Sequence, residues 1–279
     1  MSAIEKFRAM HERGCFVMPN PWDPGGARWL RHLRFPAIAT TSAGFAFARG
    51  LPDGDGAVTR DAMLAHITDL VAAVDLPVNA DFENGYAHDP DGVADSVRRC
   101  VATGAAGLSI EDSTGVPGPP LDDLPLAVAR VRAARRAIDE TGSGVLLTAR
   151  AECYLVGHPD AHAESIRRLT AYAEAGADVL YAPGPTAPDE IRAIVAAVAP
   201  RPVNLLCSAA GGLTVAEVAA LGVRRISVGG ALARAAWTGF IRAAQGIAER
   251  GSFDGFAGAT SHKELNGFFR GQRKPLAPT

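Results

Sequence analysis

The chain has 279 residues, enough for one large domain whose core needs neither disulfides nor a structural metal. Its net charge of −2 gives no footing for nucleic acid or for an anionic membrane surface. Four scattered cysteines, a charged N-terminus and no stretch of about 18 uninterrupted apolar residues predict a soluble, reduced, cytoplasmic protein that does not enter a membrane.

Short apolar runs alternate with amphipathic stretches along almost the whole chain. The runs read as strands are CFVMPN (15–20), AIATTS (37–42), PVNADFE (77–83), GLSIED (107–112), VLLTARAE (145–152), VLYAPG (179–184), PVNLLCS (202–208) and RISVGG (225–230). Between them, Asp89 followed by Pro90 reads as a helix start, and SIRRLTAYAEAGAD, PDEIRAIVAAVA and TVAEVAALGV read as helices. Gly104, Gly176 and Gly222 before strands have the look of helix C-terminal glycines. Eight strand–helix units predict a (β/α)8 TIM barrel over residues 1–249, its eighth helix at 231–249, with a C-terminal extension at 250–279. A doubly wound open sheet ranks below it, because no GxGxxG follows the first strand.

Side chains alternate across a strand, which sorts the polar residues. On the third strand Val78, Ala80 and Phe82 share one face and Asn79, Asp81 and Glu83 the other. On the fourth, Ser109 and Glu111 lie opposite Leu108 and Ile110; on the fifth, Thr148, Arg150 and Glu152 lie opposite Leu147 and Ala149; on the seventh, Asn204 lies opposite Val203 and Leu205. If the apolar faces meet the helices, Asn79, Asp81, Glu83, Glu111, Arg150, Glu152 and Asn204 converge on the barrel mouth, where barrel enzymes build their sites. Inward carboxylates beside a neutral amide make a hard-oxygen site of the kind Mg²⁺ prefers. The competing account is a structural network in which Arg150 neutralises the acids; for Glu83 and Glu152 the two accounts stand level. Lysine occurs only at Lys6, Lys263 and Lys274, so no central strand presents an amine for Schiff-base chemistry.

The runs TTSAGFAFARGLPDGDG, VNADFENGY, SIEDS, TARAE and PVNLL, in that order at successive strand ends, resemble the isocitrate lyase/phosphoenolpyruvate mutase family over residues 14–245. The resemblance implies a (β/α)8 barrel whose last helix is exchanged between subunits in many members, a homodimer or homotetramer, and Mg²⁺ or Mn²⁺ as cofactor. It implies an enzyme, a lyase, mutase or hydrolase that makes or breaks a C–C or P–C bond in a small 2-oxo or 2-hydroxy carboxylate. By position it makes Asp53, Asp81 and Glu111 metal-site acids, Arg150 and Asn204 substrate contacts, and Ser42, Ala43 and Gly44 the cradle of the substrate carboxylate.

Two departures separate this chain from the family pattern. Asn79 stands where a metal-ligating aspartate is usual; its amide oxygen can still ligate, with one negative charge fewer, and Glu83 is placed to compensate. After the fourth strand the lyases carry a loop with a catalytic cysteine, whereas DSTGVPGPPLDD has no Cys, Lys or His. A cysteine-dependent lyase reaction is therefore not expected. Ser113, Thr114, His158 or water remain as proton donors, His158 being the best placed histidine. Two rivals stand beside this reading: a phosphate grip built from CSAAGGLT and VGGA at strands seven and eight, and a relative without catalysis.

Overall fold

The structure, a computed structural model, describes residues 1–54, 56–115 and 118–272. Asp55, Val116 and Pro117 of the two loops singled out above, and Lys274 of the extension, lie outside the described residues. Eight strands appear where eight are predicted: β1 (Phe16–Met18), β2 (Ile38–Ala39), β3 (Val78–Asp81), β4 (Gly107–Glu111), β5 (Leu146–Arg150), β6 (Val179–Tyr181), β7 (Val203–Leu206) and β8 (Arg225–Ser227). The helices are α1 (Ala3–Glu12), α2 (Pro24–His32), α3 (Ser42–Ala48), α4 (Arg60–Ala73), α5 (Pro90–Ala102), α6 (Leu124–Thr141), α7 (Ala161–Glu174), α8 (Pro188–Val198), α9 (Val215–Ala220), α10 (Ala231–Arg250) and α11 (His262–Gly271). Each strand is shorter than its apolar run, because the chain leaves the sheet at the C-terminal end where the polar residues begin.

All strands are parallel, in the order β1-β8-β7-β6-β5-β4-β3-β2. No ladder joins β1 to β2, but the gap is bridged: Ala39 N donates to Pro19 O at 3.0 Å and Asn20 Nδ2 to Thr40 O at 2.7 Å. The result is the predicted (β/α)8 barrel. Ala80, Phe82, Leu108, Ile110, Leu147 and Ala149 pack with Val93, Val97, Val131, Ile138 and Leu169 of the surrounding helices in the largest apolar cluster. The opposite faces of the strands therefore look inward.

Asp89 caps α5, its Oδ1 accepting from Gly92 N at 2.8 Å, with Pro90 at the first helical position. Gly176, after α7, has φ of +102°, a conformation that favours glycine. The alternation of apolar runs gives no sign of α1. Its capping box, Ser2 with Glu5, starts a helix that inserts buried Phe7 among Met18, Ala106, Leu146 and Val179. That plug fills the N-terminal end of the barrel and leaves the C-terminal end for chemistry.

Contacts divide the chain into two compact units, Met1–Ala231 and Leu232–Thr279. Within the second, α10 is followed by a 3₁₀ turn (Asp254–Phe256) and α11, and Gly255 packs on Ala243 so closely that a Cβ would sit 2.6 Å from its Cα. No described helix is long and apolar enough to cross a membrane.

Candidate active site

Arg150 gathers the acids of neighbouring strands. By register Asp81 pairs with Ser109, two residues before Glu111, and Glu111 pairs with Arg150. Arg150 Nη1 lies 2.8 Å from Asp81 Oδ1 and 3.1 Å from Glu111 Oε2, and its Nε lies 2.9 Å from Glu152 Oε1. Its Nη2 donates to no protein acceptor among the described residues. The guanidinium carbon also stands 5.0 Å from the centre of the Tyr181 ring. Glu152 is fixed in turn by its own N–H, which donates to Asp112 Oδ1 at 2.9 Å. Ser113 Oγ donates to Glu111 Oε1 at 2.7 Å.

Asp81 has a second set of partners. Ser42 donates to its Oδ2 from both N (2.9 Å) and Oγ (3.0 Å). Thr41 caps α3 by accepting from Gly44 N at 3.2 Å. Of the three residues assigned to the carboxylate cradle, then, Ser42 and Gly44 have their N–H groups engaged, and Ala43 alone keeps its N–H without a protein acceptor among the described residues.

Charge at this end is out of balance. Burial pushes the Asp53 carboxyl up to about 6, helped by the neighbouring charge of Asp81. Burial likewise lifts Glu83 to about 7, against the hydrogen bond it accepts from Tyr86, and Glu152 to about 8, against the pull of Arg150. Glu111 is raised by burial too, with Arg150 opposing. Burial disfavours the charge on Arg150, yet Glu111, Glu152 and Asp81 together hold it well above its ordinary value. One guanidinium thus serves several carboxylates.

Two cavities carry the predicted site residues, and a third of about 340 Å³ lies beside Cys207, Ser208, Gly211 and Gly212 after β7. The first, about 170 Å³, is lined by Ser42, Ala43, Asp53, Asn79, Asp81, Arg150 and Asn204, seven residues that the sequence assigns to the site. The second, about 320 Å³, is lined by Glu83, Tyr86, His88, Glu111 and Ser113. Glu83 takes φ of +46° and accepts a 2.6 Å hydrogen bond from Tyr86 Oη, which turns it to this second cavity. Glu111 is the link, touching Arg150 from the second cavity. His158 lines neither; its Nδ1 accepts from Asp160 N at 3.1 Å at the start of α7. Among the described residues no three His, Cys, Asp or Glu side chains form a ready metal cluster.

Asn20, Tyr181, Arg225 and Ser227 are among the lining residues of the first cavity that the site expected on sequence does not include. The alternation test, extended to β8, finds Arg225 and Ser227 on either side of Ile226. Asn20 Oδ1 accepts from Val228 N (2.9 Å) and Gly229 N (3.0 Å), tying β1 to the segment after β8.

A family model described as phosphoenolpyruvate phosphomutase matches residues 7–248. A solved structure from Burkholderia cenocepacia J2315, provisionally assigned as a lyase/mutase, is 49% identical over 96% of this chain and 95% of its own, with a TM-score of 0.90. An oxaloacetate acetylhydrolase in complex with its product oxalate is 26% identical over 96% of this chain and 93% of its own, with a TM-score of 0.85. The oxaloacetate decarboxylase of Rhodopseudomonas palustris (strain HaA2) is 32% identical over 68% of this chain and 66% of its own length. With the strand-end motifs and the barrel both in place, the chain belongs to the phosphoenolpyruvate mutase/isocitrate lyase superfamily.

Proposed function

We propose that the chain is a divalent-metal-dependent lyase, mutase or hydrolase. It would cleave or form a C–C or P–C bond at C3 of a small 2-oxo or 2-hydroxy carboxylate, through an enolpyruvate-type intermediate. The observation that carries this reading is the meeting of Asp81 and Glu111 on one nitrogen of Arg150, beside a cavity that Ser42, Ala43 and Asp53 also line.

The donor set suits Mg²⁺ or Mn²⁺. Carboxylates outnumber the one guanidinium they share, and the buried Asn79 Oδ1 has no hydrogen-bond partner. Mg²⁺ typically takes one or two carboxylates directly and keeps several waters, so it needs no three-ligand cluster. Asp81 is the direct holder in this reading, with Asp53, Asn79 and Glu111 around it; Glu83, bound to Tyr86, stands further out. When bound, such an ion supplies Lewis-acid polarisation of the 2-oxo group.

The chain's own residues would do the rest. Ala43 N–H and the uncommitted Nη2 of Arg150 receive the substrate carboxylate, and Ser42 joins them when Asp81 turns from it. Arg150 opposes the negative charge that develops on the enolate oxygen, where preorganised donors contribute most. Ser113, whose Oγ donates to Glu111 Oε1 at 2.7 Å, and water are the donors placed to return a proton. The rival phosphate grip keeps fewer donors at β8, since the amides of Val228 and Gly229 are committed to Asn20, and the six-residue α9 is capped by Thr214 with Glu217; its glycines Gly211 and Gly212 line a separate cavity. The same reading takes exposed Trp237 and Phe240 of α10 as part of a contact between copies in a homo-oligomer.

Thermal denaturation tests the proposal. Mg²⁺ with oxalate, an enolpyruvate mimic, at about a hundredfold excess over Kd should raise the midpoint by about 5–10 °C. Asp81→Ala should abolish that shift, together with pyruvate release from 3-substituted 2-oxo acids. A wild-type midpoint unmoved by Mg²⁺ and oxalate would sink the reading. A shift with inorganic phosphate alone would restore its rival.

A further inference from the structure

The first cavity contains a second arginine that the chemistry above does not use. Arg225 opens β8 with its side chain turned into the barrel, and it is 1% exposed. All its partners are neutral. Its Nε donates to Asn204 Oδ1 at 2.8 Å, its Nη2 to Thr148 Oγ1 at 3.0 Å, and its Nη1 faces His11 Nε2 at 3.4 Å. His11 uses its other ring nitrogen toward Phe7 O at 2.7 Å, which assigns the proton to Nδ1 and leaves Nε2 as an acceptor. No carboxylate among the described residues pairs with Arg225. A guanidinium has five N–H donors, so about two of them remain for something else.

A fully buried cation without a counter-ion is a costly arrangement. Here it lines a cavity that also reaches Arg150. On β5, Thr148, which Arg225 touches, lies two residues before Arg150, a rise of about 7 Å along the strand. Of the cavity's lining, Asn204, which accepts from Arg225, and Ser227, to which Asn204 Nδ2 donates at 2.9 Å, are polar and uncharged. The space therefore has a cation at each of two levels, and only the upper one is neutralised by the protein.

We infer that Arg225 is a specificity-determining residue that receives a second carboxylate of the substrate, so that the substrate is a dicarboxylate whose C3 arm points down the barrel axis. This rests on the proposed function, which fixes the first carboxylate at Ala43 and Arg150. The lower group would complete the missing ion pair with charge-assisted hydrogen bonds, using donors the protein leaves open.

Lactate and malate, 2-hydroxy acids that differ by the carboxylate on C3, are the probes, with binding measured by calorimetry in the presence of Mg²⁺. The wild type should bind malate about ten- to a hundredfold more tightly than lactate. Arg225→Met should erase that preference while leaving lactate and oxalate within about twofold. Arg225→Lys, which keeps the charge, should retain part of it. Equal affinity for lactate and malate in the wild type would overturn the inference even if neither variant can be produced. So would a loss on substitution that is the same for malate and oxalate. Failure of oxalate itself to bind would remove the reading of the upper site and this one with it; oxalate binding without a malate preference overturns this one alone.

Discussion

Arg150 and Arg225 are the same residue type, inside the same barrel, about one side-chain layer apart, and their surroundings are opposite. Arg150 on β5 touches Asp81, Glu111 and Glu152, and those charges hold it well above its ordinary value. Arg225 on β8 touches an amide, a hydroxyl and an imidazole, and burial pushes it down to about 9. The β3–β5 side of the barrel thus gathers more carboxyl groups than its one guanidinium can pair, and the β8 side carries a guanidinium that no carboxylate among the described residues pairs. Each side is incomplete in the sense the other is not. A cation suits the first and an anion the second, which is how a charged, polarised ligand is oriented before any bond changes.

Removing the crowded arginine should have the largest effect. Arg150→Met leaves Asp81, Glu111 and Glu152 buried around no positive charge. Removing one partner of such a group typically costs about 3–5 kcal/mol, and losing the donor that meets the developing enolate should lower kcat/KM by about 10²–10³. Arg225→Met leaves no orphaned charge behind, so its cost in denaturant unfolding should be clearly smaller. Equal costs for the two substitutions would mean that the difference in their neighbours has no energetic consequence.

A smaller effect comes from Glu83, on the acidic side but turned to the second cavity. Its carboxyl is raised from 4.5 to about 7 by burial. Below pH 4.5 the folded and unfolded chains both hold this proton; between 4.5 and 7 the unfolded chain releases it while the native one keeps it. Stability therefore falls as pH rises through that window, on the order of 1–3 kcal/mol. Glu83→Gln preserves the acceptor for Tyr86 Oη and removes the titration. The variant should match the wild type near pH 4.5 and exceed it in midpoint at pH 8. A difference that does not change with pH would show that Glu83 is ionised in the native state.

The barrel is legible in the sequence because its strands announce themselves twice, by apolar runs and by the alternation that sets Asn79, Asp81, Glu111 and Arg150 on one face. The same test predicts which faces meet the helices, and Ala80, Phe82, Leu108 and Ile110 are buried there. What is less legible depends on the chain leaving strand geometry. Glu83 continues the alternation of β3 on paper, but a positive φ ends the strand before it and re-aims its side chain. Ser42 reads as a substrate contact, yet α3 begins at that residue and its donors turn to Asp81. Arg225 escapes notice because it begins its strand, where a basic residue reads as a solvated end. Only α1, closing the barrel floor with Phe7 and His11, makes that position an interior one.

His158 gives the smallest expected effect and the cleanest boundary to the acidic side. It follows β5 by eight residues, as Glu152 follows Arg150 by two, and by sequence alone it is the best placed imidazole for proton transfer. In the structure its backbone N–H donates to Cys153 O at 2.9 Å, and its Nδ1 accepts from Asp160 N at 3.1 Å. The imidazole therefore helps to form the turn into α7, a helix whose Asp160 cap makes no side-chain hydrogen bond of its own. Losing one such partly exposed bond costs about 0.5–1 kcal/mol. His158→Ala should lower the unfolding free energy by that amount and leave kcat/KM for the best 2-oxo acid within about twofold. His158→Asn, whose side-chain oxygen can accept from the same N–H, should recover most of the stability. A hundredfold loss of kcat/KM in both variants, with stability unchanged, would place the imidazole at the reacting atoms and extend the working site beyond the ring of acids around Arg150.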